Sequence, residues 1–378
     1  MESIYQQIST SADALAPELS RIRRDFHHYA ESGWLEIRTS SLIAERLTQL
    51  GYQVLTGPDV CKADERMGLP PAGYLQQQYE RALEQGAVQP WAARAKDGFT
   101  GVIGILDCGE GPVIGMRFDI DALGVFESQD PSHLPCREGF RSVNEGMMHA
   151  CGHDGHAAIG LGVAAVLAAQ KHHLHGKVKL VFQPAEEGVR GARSIAASGI
   201  LDDVDYMLGN HIWPYAEKGE QIGVTTGTTL ATTKLDVVFT GKACHAGAPE
   251  AGKNAMLAAA TAVLNLHAIP RHSDGATRIN VGTLHAGSGR NVICDRAKLE
   301  FEVRGATTEA NEYMEQYAIR IVKAAADMHA CSCEITRTGA AESVVNDAAM
   351  IERCLRVSEE KLHLRVQPPT PVTGGSED

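Results

Sequence analysis

Four short apolar runs constrain this chain more than anything else: "FTGVIGILD", "GPVIGMRFDID", "KVKLVFQPAEE" and "VDYMLGNHI". Each breaks off in polar or turn-forming residues, and helical stretches separate the later ones. Runs bounded in this way read as strands. Strands alternating with helices make a sheet covered on both faces, so the expected fold class is α/β with a large doubly wound domain. Ahead of them, apolar residues recur at helical spacing from Ile4 to about Leu50, which gives two helices joined near "AESGW". The long segment from Val60 to Gly98, with Pro70 and Pro71 before an expected helix, is an elaboration laid over that core.

From about Gly227 the texture changes. "TTKLDVVFTG" reads as a strand, "NAMLAAATAVLNLHAI" as a helix, "RINVGTLHAG" and "KLEFEVRG" as strands, "ANEYMEQYAIRIVKAAADMH" as a helix and "SCEITRTG" as a strand. The order β-α-β-β-α-β is that of a ferredoxin-like α+β module. The expected organisation is therefore a smaller inserted domain over residues 226–339, interrupting a larger one made of residues 1–225 and 340–378.

Charge narrows the classes of partner. Thirty-five basic against 47 acidic residues give a net charge of -12. Such a field repels nucleic acid and anionic membrane surfaces. No nucleic-acid or membrane partner is expected, whereas a small acidic substrate is compatible with local arginines in a cleft. The 9 cysteines are odd in number and scattered, which reads as reduced thiols. The first residues lack a basic start followed by an apolar run, and no later stretch has the apolar length to span a bilayer. A cytoplasmic location is the expectation.

The stretch "MMHACGHDGHAAIG" packs His149, Cys151, His153, Asp154 and His156 directly before an apolar helix. Zinc or manganese needs deprotonated sulfur, imidazole or carboxylate ligands converging on one point. In "CGH", Cys151 and His153 can reach one centre, with Gly152 letting the backbone approach. Read structurally instead, the same groups satisfy donors around a helix N-terminus, with Asp154 as its cap. "LVFQPAEEG" places Glu186 and Glu187 side by side just after a strand, at the carboxyl edge of a parallel sheet. Neighbouring carboxylates repel unless a cation or proton separates them, so one can ligate while the other handles protons; two solvated loop acids are the alternative. "GNHIWP" brings His211 to the same edge, and "MRFDIDAL" brings Asp119 and Asp121, either of which can cap a helix or orient a ligand imidazole from behind.

Together, "MHACGHDGHAAIG", "FQPAEEG", "GNHIWP", "CHAGAPEAGKNA", "GSGRNVI" and "GSED" resemble the successive signatures of the dinuclear-metal aminoacylase and carboxypeptidase family, in its branch of hippurate and indole-acetyl-amino-acid hydrolases. The resemblance runs from about Leu19 to the last residue. It implies a large metallopeptidase domain with an inserted lid and dimerisation domain. It also implies two divalent metal ions, zinc or manganese, with Cys151 bridging and His153, Glu187 and His211 as further ligands. Glu186 is implied as the general base, Asp121 as the residue orienting a ligand, and His245 in "CHAG" as the group that meets the oxyanion. Asn291 in "GRNVI" and Arg304 in "EVRG" match positions that hold the carboxylate of the released amino acid, with Arg290 a lesser candidate. Asp119 stands where wider relatives carry a His.

The activity so implied is hydrolysis of the amide bond of a small N-acyl amino acid, with p-aminobenzoyl-glutamate the expected substrate. The expected working form is a homodimer, or a hetero-oligomer with a related B subunit, formed through the lid. Relatives extend beyond "GSED" and supply a further ligand His, whereas this sequence stops at Asp378. The alternative expectation is thus a truncated partner subunit that keeps the fold with impaired turnover.

Overall fold

The four apolar runs form four strands of one five-stranded sheet in a computed structural model, which describes residues 3–212, 221–225, 229–370 and 375–378. Thr226, where the inserted domain was expected to begin, and Trp213 and Pro214 of the "GNHIWP" motif lie outside the described residues. The chain divides into two compact units, a larger one of Met1–Ile222 with Arg353–Gln367 and a smaller one of Gly223–Glu352 with Pro368–Asp378.

In the larger unit, helices α1 (Ile4–His28) and α2 (Ile37–Gln49) precede strand β1 (Gln53–Thr56), and the elaboration carries α3 (Ala72–Glu84) and α4 (Trp91–Ala95). Strands β2 (Val102–Asp107) and β3 (Val113–Asp119) follow. Then come α5 (Leu134–Arg137), α6 (His153–Ala169), β4 (Lys177–Gln183), α7 (Ala192–Ala196) and β5 (Tyr206–Gly209). The strand order is β1-β2-β4-β3-β5. Within this α/β domain the sheet is mixed. β3 runs parallel to β4 and β5, whereas β2 is antiparallel to both β1 and β4. For the site, the parallel half matters. It places the carboxyl ends of β3, β4 and β5 at one edge, in a register that sets Asp119 beside Gln183 and Arg117 beside Gly209.

Both faces of that sheet are covered. On one, Phe118, Leu180 and Phe182 pack with Phe26 of α1, Ile43 and Leu47 of α2 and Leu161 of α6. On the other, Ile103 and Val181 pack with Val60, Cys61 and Ile195. The fully buried Trp34 ties the elaboration down by donating its indole N–H to the Met67 carbonyl at 2.7 Å. No helix among the described residues is long and apolar enough to cross a membrane.

Strands β6 (Gln221–Thr225) and β11 (Arg365–Thr370) pair as a two-stranded sheet, and α10 spans Ala348–Arg356. The smaller unit is built on β7 (Ala231–Thr240), α8 (Ala255–Leu266), β8 (Thr277–Ala286), β9 (Arg296–Gly305), α9 (Thr308–Met328) and β10 (Ser332–Ala341). Its strands are antiparallel in the order β10-β7-β9-β8, the ferredoxin-like arrangement expected from the β-α-β-β-α-β pattern. Alternation makes the two faces unlike. Ala297, Leu299, Phe301 and Val303 of β9 are buried in the core with α8 and α9, and the residues between them, Lys298, Glu300, Glu302 and Arg304, are partly exposed. Asn254 and Thr307 cap α8 and α9 by accepting backbone N–H groups with their side chains.

One close approach fixes α6 on the sheet. A Cβ added at Gly160 would come within 2.6 Å of the Phe182 ring and 2.9 Å of the Phe118 ring. Gly→Ala inside a helix gains about 1 kcal/mol of propensity, but overpacking a well-filled core costs about 1–3 kcal/mol. Gly160→Ala is therefore expected to lower stability in urea denaturation. A stabilised protein would show that the rings have room to move.

Candidate metal centre

Because β3, β4 and β5 are parallel, the three segments leaving them converge. Pro184, with no N–H to offer, ends the pairing of β4, and the chain then turns through Ala185 at φ 51° into Glu186 and Glu187. The fourth contributor is the start of α6. Gly152 stands at its N-cap with φ 85°, a left-handed conformation open to glycine, and so brings Cys151 beside the first helical residue, His153. Asp154 is not the cap. Within the first turn its Oδ1 accepts the Gly155 N–H at 2.9 Å, while Oδ2 accepts from His27 Nδ1 at 2.8 Å and pairs with Arg23 at 2.7 Å.

Hydrogen bonds set the tautomers of the two imidazoles expected as ligands. His153 Nδ1 donates to the Asp121 carbonyl at 2.9 Å and lies 3.2 Å from Asp121 Oδ1. Its Nε2 is buried, has no hydrogen-bond partner among the described residues, and sits 3.9 Å from Glu186 Oε2. His211 Nδ1 donates to the Ile212 carbonyl at 2.8 Å, leaving Nε2 to face Cys151 Sγ at 3.4 Å. One ligand atom each from Cys151, His153 and His211 lie within 4.8 Å of one another, and so do those of His153, Glu186 and Glu187. The two sets share His153. Sulfur, imidazole and carboxylate gathered at that spacing are the donor set that suits a divalent transition ion.

Electrostatics agree with the geometry. Burial disfavours charge on His153, yet the Asp121 and Cys151 side chains push its pKa up to about 12. Contacts from His153 and His211 hold the Cys151 thiol below its ordinary value. A cation entering the cluster would compete with the protons these groups hold.

A layer of buried acids holds the strand tips from behind. Asp121, besides orienting His153, accepts the Glu187 N–H on Oδ2 at 2.9 Å. Glu36 accepts the Ala185 N–H at 2.8 Å and the Thr100 hydroxyl at 2.6 Å. Burial and the Asp121 charge push the Glu36 pKa up to about 8. Asp119 pairs with Arg117 and with His156, whose other nitrogen accepts the Ile212 N–H. Sequence reasoning missed Glu36 and the work of His27 and His156. The available signal was an acid in an apolar setting, "GWLEI", next to a His pair, "FHHY".

The remaining expected site residues lie in the smaller unit. His245 is exposed, accepts the Gly247 N–H on Nδ1 at 3.0 Å and bridges Val292, while the Ala246 N–H donates to the Asn291 carbonyl at 3.0 Å. His245 and Asn291 therefore stand on paired segments. Arg304, near the end of β9, ion-pairs with Glu302 at 2.9 Å. With Arg271 and Arg278 it lines an open depression of about 400 Å³.

Residues 115–378 match the model of peptidase family M20/M25/M40. The chain belongs to this family. It is 52% identical to the A subunit of p-aminobenzoyl-glutamate hydrolase from Escherichia coli, over 90% of this chain and 78% of that protein. It is 51% identical to the indole-3-acetyl-aspartic acid hydrolase of Enterobacter agglomerans, over 87% and 76%. Among solved structures, the aminobenzoyl-glutamate utilization protein of Klebsiella pneumoniae superposes with a TM-score of 0.84 at 42% identity, over 98% of this chain and 88% of that one. Membership makes the chain a metal-dependent hydrolase of the M20 fold.

In this M20 protein the buried Glu36 has a measurable signature. Its folded pKa of about 8 exceeds the ordinary 4.5, so the native state keeps a proton that the unfolded chain releases. Stability of the metal-stripped protein is expected to fall as pH rises from about 4.5 to about 8, by at most about 1.4 kcal/mol per pH unit. Glu36→Gln retains an acceptor for the Ala185 N–H, turns an amide donor toward the Thr100 hydroxyl oxygen, and should flatten that decline in urea denaturation. An unchanged slope would assign the pH dependence to other groups.

Proposed function

We propose that the chain hydrolyses the amide bond of an N-acyl amino acid, with p-aminobenzoyl-glutamate as substrate, releasing p-aminobenzoate and glutamate. The observation that carries this reading is the meeting of Cys151, His153, His211, Glu186 and Glu187 at the tips of three parallel strands. The donor set fits two divalent ions, zinc or manganese, which Cys151, His153, Glu187 and His211 would hold. When bound, such ions polarise the amide carbonyl and lower the pKa of water toward neutrality.

Glu186 accepts the proton of the attacking water and passes it to the leaving amine. It is 7% exposed, so the proton transfer occurs in a largely desolvated setting that strengthens its coupling to the neighbouring charges. Asp121 keeps the Nε2 lone pair of His153 directed into the centre by holding the Nδ1 proton. His245 meets the developing oxyanion. Asn291 and Arg304 hold the carboxylate of the amino acid half, a task suited to the planar fork of a guanidinium. A glutamate or aspartate leaving group, as in the names of the two relatives, agrees with the arginines that flank Arg304.

The larger unit serves in this reading as the catalytic domain and the smaller one as a lid that also dimerises, either with itself or with a related B subunit. Met256, Leu257 and Leu264 of α8 are exposed and β8 is an edge strand, the surface such an assembly would use. A cytoplasmic enzyme with reduced thiols suits the nine free cysteines.

Metal-loaded protein is expected to release p-aminobenzoate from p-aminobenzoyl-glutamate, and Glu186→Gln to lower turnover by about 100- to 10,000-fold while metal content stays the same. Undiminished turnover in that variant would remove Glu186 as base, and no release by the parent protein would overturn the substrate. Cys151→Ala should lose bound metal in elemental analysis; full occupancy would contradict its place in the donor set.

A further inference from the structure

Ile212 is held at both of its backbone polar groups. Its carbonyl accepts the Nδ1 proton of His211 at 2.8 Å, and its N–H donates to His156 Nε2 at 2.9 Å. A backbone N–H can only donate, so His156 Nε2 is an acceptor and the ring proton of the neutral imidazole is on Nδ1. That proton faces Asp119 Oδ2 at 3.2 Å. The other Asp119 oxygen is 2.5 Å from Arg117 Nη2, and Arg117 Nε donates to Gln183 Oε1 at 2.7 Å. An unbroken chain of polar contacts therefore runs from β3 and β4, through α6, to the segment that carries His211.

We propose that Asp119 and His156 are a positioning pair that sets the direction of the His211 imidazole toward Cys151. The inference rests on the reading of His211 as a metal ligand. The competing assignment is direct ligation, since Asp119, His153 and His156 also offer atoms within 4.8 Å of one another. It is the weaker one: both nitrogens of His156 are committed, and ligation through Nε2 would take from the Ile212 N–H the acceptor that His156 gives it. An acid at position 119 supplies the acceptor that fixes the tautomer of His156.

Asparagine at 119 tests the tautomer directly. Its carbonyl oxygen stays with the Arg117 cation, which turns its NH2 group toward His156 Nδ1. The ring must then accept at Nδ1 and carry its proton on Nε2, donor against donor at Ile212. Glutamine at 156 keeps an acceptor for Ile212 and a donor for Asp119, whereas leucine keeps neither.

Two measurements separate this pair from the metal reading beneath it. In ¹⁵N-histidine-labelled, metal-free protein, two-bond ¹H–¹⁵N correlations should report the Nδ1–H tautomer for His156, and Asp119→Asn should convert it. An Nε2–H tautomer in the parent protein would overturn the proposal whether or not any metal binds. In cobalt(II) titrations followed by visible absorption, Asp119→Asn and His156→Leu should weaken binding by about 10- to 100-fold. His156→Gln should remain within about threefold of the parent and serves as the folded control at the same position. Parental affinity in the first two variants overturns the relay, and so does a loss in His156→Gln as large as in His156→Leu, which would mark His156 as a ligand. A parent protein that binds no cobalt, yet shows the expected tautomer and its conversion in Asp119→Asn, would keep the pair and discard the metal reading.

Discussion

The carboxylate of Asp121 holds the two halves of the centre in one frame. One oxygen faces His153 Nδ1 and the other accepts the Glu187 N–H, so a single fully buried group fixes an imidazole on α6 and a carboxylate on the segment after β4. Ionised groups withdrawn from water are tolerated only when paired and hydrogen-bonded. The cluster meets that condition by matching each acid to a donor or cation: Asp121 to His153, Asp119 to Arg117 and His156, Asp154 to His27 and Arg23. Removing any one of these acids takes a counter-charge from a buried cation or imidazole, so the geometry of the cluster and the stability of the α6–sheet packing are governed by the same contacts.

Strand direction explains why four distant stretches can share this frame. Parallel pairing of β3 with β4 and β5 brings their carboxyl ends to one edge, with Asp119 the last residue of β3 and Asp121 two residues on. A one-residue slip in either pairing would turn those acids away from α6. The large rings of Phe118 and Phe182, packed against each other and against the glycine face of α6, resist such a slip. Core packing thereby sets the register that the polar site needs.

Much of this was legible in the sequence, and what was not shares a physical cause. Strand ends could be read from apolar runs that stop in polar residues, and the ligand types from "CGHD", "AEE" and "GNH", because those signals are local. The antiparallel placement of β2 was hidden, since a run such as "VIGILD" has the same pattern whichever way its neighbours point. The supporting acids were hidden for another reason. Glu36 bonds a residue 149 positions away and His27 one 127 positions away, and no local spacing carries such pairings. Asp154 illustrates the same limit: beside a helix start it reads as a cap, but the fold supplies Arg23 and His27, which a capping role would have left without a counter-charge.

The least comfortable groups of the larger unit lie around the same strand tips. Ala185 sits at a positive φ one residue before Glu186. Glu36 is buried with a pKa near 8 against the N–H of that same Ala185. Burial pushes His149 down to about 4, and neither of its ring nitrogens has a hydrogen-bond partner among the described residues. Each such feature costs on the order of 1–3 kcal/mol. Positive φ and unpartnered buried polar atoms also occur elsewhere, as at Asp97 and Gln78, but these three border Cys151, Glu186 and Glu187. The surrounding core, with Trp34, Phe118 and Phe182 fully buried, supplies the surplus that keeps them in place. On this view the strain follows from gathering sulfur, imidazole and carboxylate groups at one sheet edge, and relieving it by substitution would stabilise the chain while loosening the cluster.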